Sequence, residues 1–65
     1  MHLLEALAKR LEGDVAVHKA NIQVYLDNPA GIGEHPQIIE AIESEVAKLA
    51  ESQEKLDTVL ELLGE

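Results

Sequence analysis

Residues 36–64 read PQIIEAIESEVAKLAESQEKLDTVLELLG, and the fold follows from the spacing of the apolar letters in that stretch. Ile39, Ile42, Val46, Leu49, Gln53, Leu56, Leu60 and Leu63 succeed one another at alternating steps of three and four. A repeat of about 3.5 residues lays such positions on one stripe of a helix that winds left-handedly round a neighbour. Ile38, Val59 and Leu62 widen the stripe, and Ala41, Ala47 and Ala50 beside it let another helix come close. Glu40, Ser44, Glu51, Glu54, Thr58 and Glu61 fall on the opposite, wet side. Pro36 suits the first helical position, where its missing N–H has no partner to lose. His35 is then the N-cap, and Glu40 and Glu43 set negative charge toward the positive end of the helix dipole. Nothing between Gln37 and Leu63 breaks a helix, and Gly64 stops it. The predicted helix, 36–63, is about 40 Å long at 1.5 Å per residue. A helix of this kind is rarely stable by itself in water. It needs a partner.

The first 26 residues supply part of one. Leu4, Leu7, Leu11, Val15, His18, Ile22 and Leu26 recur every 3.67 residues on average, roughly a straight pattern rather than a strict heptad. They predict a helix over 3–26 that lies along the second without forming a long, regular coiled coil. Gly13 costs about 1 kcal/mol relative to alanine inside a helix, and Asp14 after it has the chemistry to cap a fresh turn. The apolar stripe nevertheless passes through 13–14 in phase, which favours one helix over two. Val15 to Leu26 is rich in β-formers, but a lone strand would have nothing to pair with in this chain. Asn28-Pro29 ends the helix, because the residue before a proline is pushed out of helical geometry. Asp27 to His35 form the connection, in which Ile32, between Gly31 and Gly33, is placed to fold back over the open end of the helix pair.

The chain has 65 residues, enough for a single small domain. Its apolar share of 46% is too high for a disordered acidic segment. Tyr25 is the one aromatic residue, so the core must be aliphatic. Cysteine is absent, which removes disulfides and Cys-based zinc sites as staples and is compatible with a reducing compartment. A hairpin has one packing seam, yet Ile38, Val59 and Leu62 lie off it in the second helix, and Leu3, Val17, Val24 and Tyr25 in the first. Each such side chain left in water forgoes about 1.5–3 kcal/mol. The architecture that resolves this is an all-α helical hairpin dimerising into an antiparallel four-helix bundle. Gln53, mid-stripe, either meets its symmetry mate at the two-fold axis or stands at a wet edge. His18 on the first stripe reads as a half-buried, hydrogen-bonded residue or an edge residue rather than a ligand.

Charge narrows the partners. Thirteen acids against five Lys+Arg give a net charge of −8. Residues 1–26 balance, with Lys9, Arg10 and Lys19 against Glu5, Glu12 and Asp14, so the whole surplus lies in 27–65. Direct binding to nucleic acid draws on Lys/Arg neutralisation of phosphates, and an anionic membrane asks for the same charge. Both are excluded as partners, whereas a basic protein surface is compatible. No run approaches the roughly 20 apolar residues of a membrane span, and Met1 to Leu7 lacks the basic start of a signal peptide. A cytoplasmic location is the default.

Chemistry is sparsely provided. His2, His18 and His35 have no helical ligand spacing, and no zinc or calcium motif is present, so neither metal nor cofactor is expected. Ser44, Ser52 and Thr58 fall mid-helix on exposed or flanking faces with no histidine nearby in sequence, and a chain this short scarcely forms a catalytic pocket. Glu34-His35 is explained by helix-start electrostatics. Gly31-Ile32-Gly33 lacks the third glycine and the lysine of a phosphate loop. No catalytic residues are assigned.

Val24 to Lys55, VYLDNPAGIGEHPQIIEAIESEVAKLAESQEK, contains NPAGIGEHP followed by IIEAIE and a run of alanine, glutamate and lysine. It resembles a group of small acidic proteins encoded by tailed bacteriophages, notably T4-like phages of marine cyanobacteria. The likeness covers about half the chain. It implies a phage origin, the cytoplasm of the host cell as location and an accessory role on a host or viral protein; it supplies no activity and no binding residues. Taken together, the sequence predicts a non-enzymatic structural or protein-interaction module. The surfaces expected to meet a partner are the loop, with Asn28, Ile32, Glu34 and His35, and the acidic face with Glu40, Glu43, Glu51, Glu54 and Glu61. The rivals are an acidic nucleic-acid mimic that blocks a basic groove and, much less favoured, a small enzyme using His18 with a nearby carboxylate.

Overall fold

The computed structural model describes residues 2–28 and 35–65. Within them lie two helices, α1 (His2–Asp27) and α2 (His35–Gly64). α1 runs unbroken through Gly13-Asp14 and through the β-former-rich segment beyond it. Its last turn closes where the amide of Asn28 donates to the carbonyl of Val24 at 3.0 Å. The suggested plug by Ile32 lies outside the described residues, as do Gly31, Gly33, Glu34 and the side chains of His35 and Pro36. α2 opens at His35 and has no acid in its first turn. The dipole role given to Glu40 and Glu43 is therefore corrected, because such effects fade beyond one turn.

The helices lie side by side in opposite directions. Leu4, Ala8 and Leu11 of α1 meet Leu56, Val59 and Leu63 of α2, and further along, His18 meets Glu45. Along α1 the covered or half-covered seam runs Leu4, Ala8, Leu11, Val15, His18, Ile22, Tyr25. Along α2 it runs Ile38, Ile42, Glu45, Leu49, Ser52, Leu56, Val59, Leu63. Steps of four and three alternate through both lists. This is the 3.5-residue repeat of coiled-coil packing, and it corrects the near-straight pattern expected of α1. Ala8 and Tyr25 take the inward places assigned to Leu7 and Leu26, which stay 40% and 59% exposed.

The stripe on α2 is corrected in the same sense. Ile42, Leu49, Leu56 and Leu63 turn toward α1 as expected, but Ile39, Val46, Gln53 and Leu60 turn outward. Their places are filled by Ile38, Glu45, Ser52 and Val59, all buried, although Ser52 was assigned to an exposed or flanking face and Ile38 and Val59 to positions off the seam. The physical reason is width. α2 carries three adjacent columns with a seven-residue repeat, and one neighbouring helix covers only two of them.

Candidate functional site

The middle of the seam is polar. Glu45 is buried at 7% exposure, an unusual place for a carboxylate. Its Oε1 accepts a hydrogen bond from Asn21 Nδ2 at 2.6 Å and another from His18 Nδ1 at 3.2 Å. Lys48 Nζ stands 3.6 Å from Oε2, one turn along α2. The bond from Asn21, then that from His18, holds the Glu45 carboxyl below the ordinary glutamate value of 4.5. Burial works the other way and is outweighed, and the charges of Lys48 and His18 add to the lowering. His18 is thus the half-buried, hydrogen-bonded residue expected, while Glu45 and Asn21 were missed. The legible signal for them was a break in apolarity on one column of α2, opposite the one polar layer of α1.

Two flanks border the seam. On one, Leu7, Arg10, Leu11 and Asp14 of α1 face Glu51, Glu54, Lys55, Thr58 and Val59 of α2 across an open groove of about 560 Å³. Lys55 spans it only in part, being held 2.7 Å from Glu51 on its own helix. Neither His18 nor Glu45 lines that groove, so the acid–imidazole pair has no cavity beside it there. The other flank carries the outward column of α2, in which Ile39, Val46 and Leu60 are 57%, 48% and 49% exposed. The heptad spacing sets Glu5, Glu12, Lys19 and Leu26 of α1 alongside that column, all of them exposed.

The two apolar stripes, read from the sequence as the surfaces for helix packing and self-association, therefore divide. Leu4, Leu11, Val15, His18, Ile22, Ile42, Leu49, Leu56 and Leu63 are used or partly used within the hairpin, whereas Leu7, Leu26, Ile39, Val46, Gln53 and Leu60 remain on its surface. Of the partner-facing set, Asn28, Glu40, Glu43, Glu51, Glu54 and Glu61 are exposed. Among the described residues no cluster of three or more His, Cys, Asp or Glu has the geometry to hold a metal ion. No helix among them is long and apolar enough to cross a membrane. No protein-family model, curated protein or solved structure matches this chain.

Proposed function

We propose that this chain is a non-enzymatic protein-interaction module whose working form is a self-associated pair of hairpins. The observation that carries the reading is which column α2 leaves outside. Of the two columns flanking Ile42, Leu49, Leu56 and Leu63, the buried one contains Glu45 and Ser52, and the exposed one contains Ile39, Val46 and Leu60. A hairpin that functioned alone would gain by burying the more apolar column. Leaving it in water makes sense when another surface covers it.

The dimensions support the same reading. The chain measures 47 × 14 × 13 Å. Its radius of gyration is 14.7 Å, against about 10.7 Å for a compact domain of this length. It exposes 4818 Å², against about 4,100 Å² for a folded monomer of its mass. The excess approaches the roughly 800 Å² that each partner contributes to a standard interface. Sedimentation velocity over a concentration series is the test, and a species of two chains is expected. A well-folded 7.1 kDa particle persisting at high micromolar concentration would sink the proposal.

With the likeness to phage proteins, the reading extends to an accessory role in the host cytoplasm, with a basic protein surface as the external partner. One observation favours the nucleic-acid-mimic alternative: Glu40, Glu43, Glu54 and Glu61 are exposed on α2, and none is in an ion pair among the described residues. Such a mimic would compete with DNA for a basic partner, and its binding would weaken as salt rises. Binding indifferent to salt counts against it.

A further inference from the structure

We infer that the second copy packs antiparallel across the Ile39–Val46–Gln53–Leu60 edge, α2 against α2 and α1 against α1, with the two connections at opposite ends of the bundle. The inference rests on self-association and adds its geometry. Two closed two-fold arrangements can lay this flank on itself. With the axis parallel to the helices, α2 of one copy covers α1 of the other at equal height. That sets Val46 against Lys19, Gln53 against Glu12 and Leu60 against Glu5, and only Ile39 finds an apolar partner, Leu26. Two of the four layers, Val46 on Lys19 and Leu60 on Glu5, are mismatched.

With the axis perpendicular to the helices, passing between Val46 and Gln53, the same columns pair differently. Ile39 meets Leu60 of the second copy, twice over, and Val46 meets the aliphatic stem of Gln53. On the α1 side, Glu12, which also lies 3.5 Å from Lys9 on its own helix, meets Lys19 of the second copy, again twice, and the one mismatched layer sets Glu5 against Leu26. Lys19 forms no ion pair within the described chain, so its charge is available. Ala16 and Ala50, both exposed, fall beside the axis in their respective helices, where the copies come closest. Gln53 then lies next to the axis and pairs with Val46 rather than with itself. Glu43 and Asp57 of opposite copies approach one another, so added salt tightens this dimer, whereas it would loosen a complex with a basic helix.

The flank on the other side offers no comparable match. Its columns are broken by Arg10, Asp14, Asn21, Lys48 and Lys55, and its apolar members Leu3, Leu7, Val17, Val24 and Leu62 are interrupted by these charged and polar side chains.

A spin label on Gln37→Cys reads the arrangement, because Gln37 is exposed and off the proposed interface. The chain has no cysteine of its own. Pulsed dipolar spectroscopy is expected to give a separation near 40 Å, from about 25 residues of helical rise between the two sites. A separation under about 30 Å in a proven dimer overturns the antiparallel arrangement and leaves self-association standing. Charge exchange gives a second reading that does not depend on refolding a core. Lys19→Glu is expected to weaken the dimer about tenfold, and adding Glu12→Lys to restore it. No restoration in the double variant overturns the pairing. Wild-type chain that sediments only as a folded monomer overturns both proposals and leaves the edge to a helix of another protein.

Discussion

Glu45 is the residue whose chemistry depends most on the fold. In the folded chain its carboxyl titrates below 4.5, and in the unfolded chain near 4.5. A depressed native value means that its contribution to stability is complete above the unfolded value. It is lost as pH falls through the native one. Glu45→Gln removes that dependence while keeping an acceptor for Asn21 and His18. Denaturant melts of both proteins from pH 7 to about pH 3 are expected to converge as the wild type loses this increment. The other carboxylates titrate in both proteins, so the difference isolates one group. Parallel curves would show that Asn21 and His18 do not hold the charge. The same trio fixes register: a slip of one heptad would set Glu45 against Leu11 or Tyr25, leaving a desolvated carboxylate without its donors.

At the scale of the element, the two helices differ in what limits them. α1 contains Gly13 in mid-helix, on the outer face, where an added Cβ meets nothing within 4 Å. Gly13→Ala is expected to raise stability by about 1 kcal/mol through backbone entropy and helix propensity, seen as a higher melting temperature. A neutral or lower value would mean that the glycine is kept for a bend or contact in the assembly. The core end of the hairpin is thin, with Ala8, Leu11 and Val59 the buried cluster and Leu4, Leu56 and Leu63 around it. Leu11→Ala removes the largest of the buried three and is expected to cost about 2–3 kcal/mol. In a chain with so little core this should abolish cooperative melting at low concentration, as circular dichroism would report.

For the molecule as a whole, the proposed dimer would couple folding to association. The melting temperature is therefore expected to rise with protein concentration, because a partner that binds only the folded state adds stability by mass action. It is also expected to rise with salt. The chain has a net charge of −8, so pairing two copies brings like charge together, and screening relieves that repulsion. A melting temperature indifferent to concentration over two decades would assign the exposed column to another protein instead. Val46→Lys, placed on a half-exposed site of that column, should shift the equilibrium toward monomer, while Val24→Lys on the other flank should not. Sedimentation at one fixed concentration separates the two outcomes.

The order of apolar and polar residues was sufficient for two helices, their approximate ends and the excess of aliphatic surface. Helical spacing is a local property, and Pro36, Gly64 and Asn28-Pro29 punctuate it locally. The choice of column was not local. Ile39, Val46 and Leu60 are better core residues than Glu45 and Ser52 by any transfer scale, and α2 read alone puts them inside. Only the presence of α1, with Asn21 and His18 at the height of Glu45 and Leu4 and Ala8 at the height of Val59, rotates α2 so that the polar column is covered. A stripe three columns wide states how much must be buried. Which two columns one neighbour takes, and which stays outside, is decided by the side chains that meet across the seam.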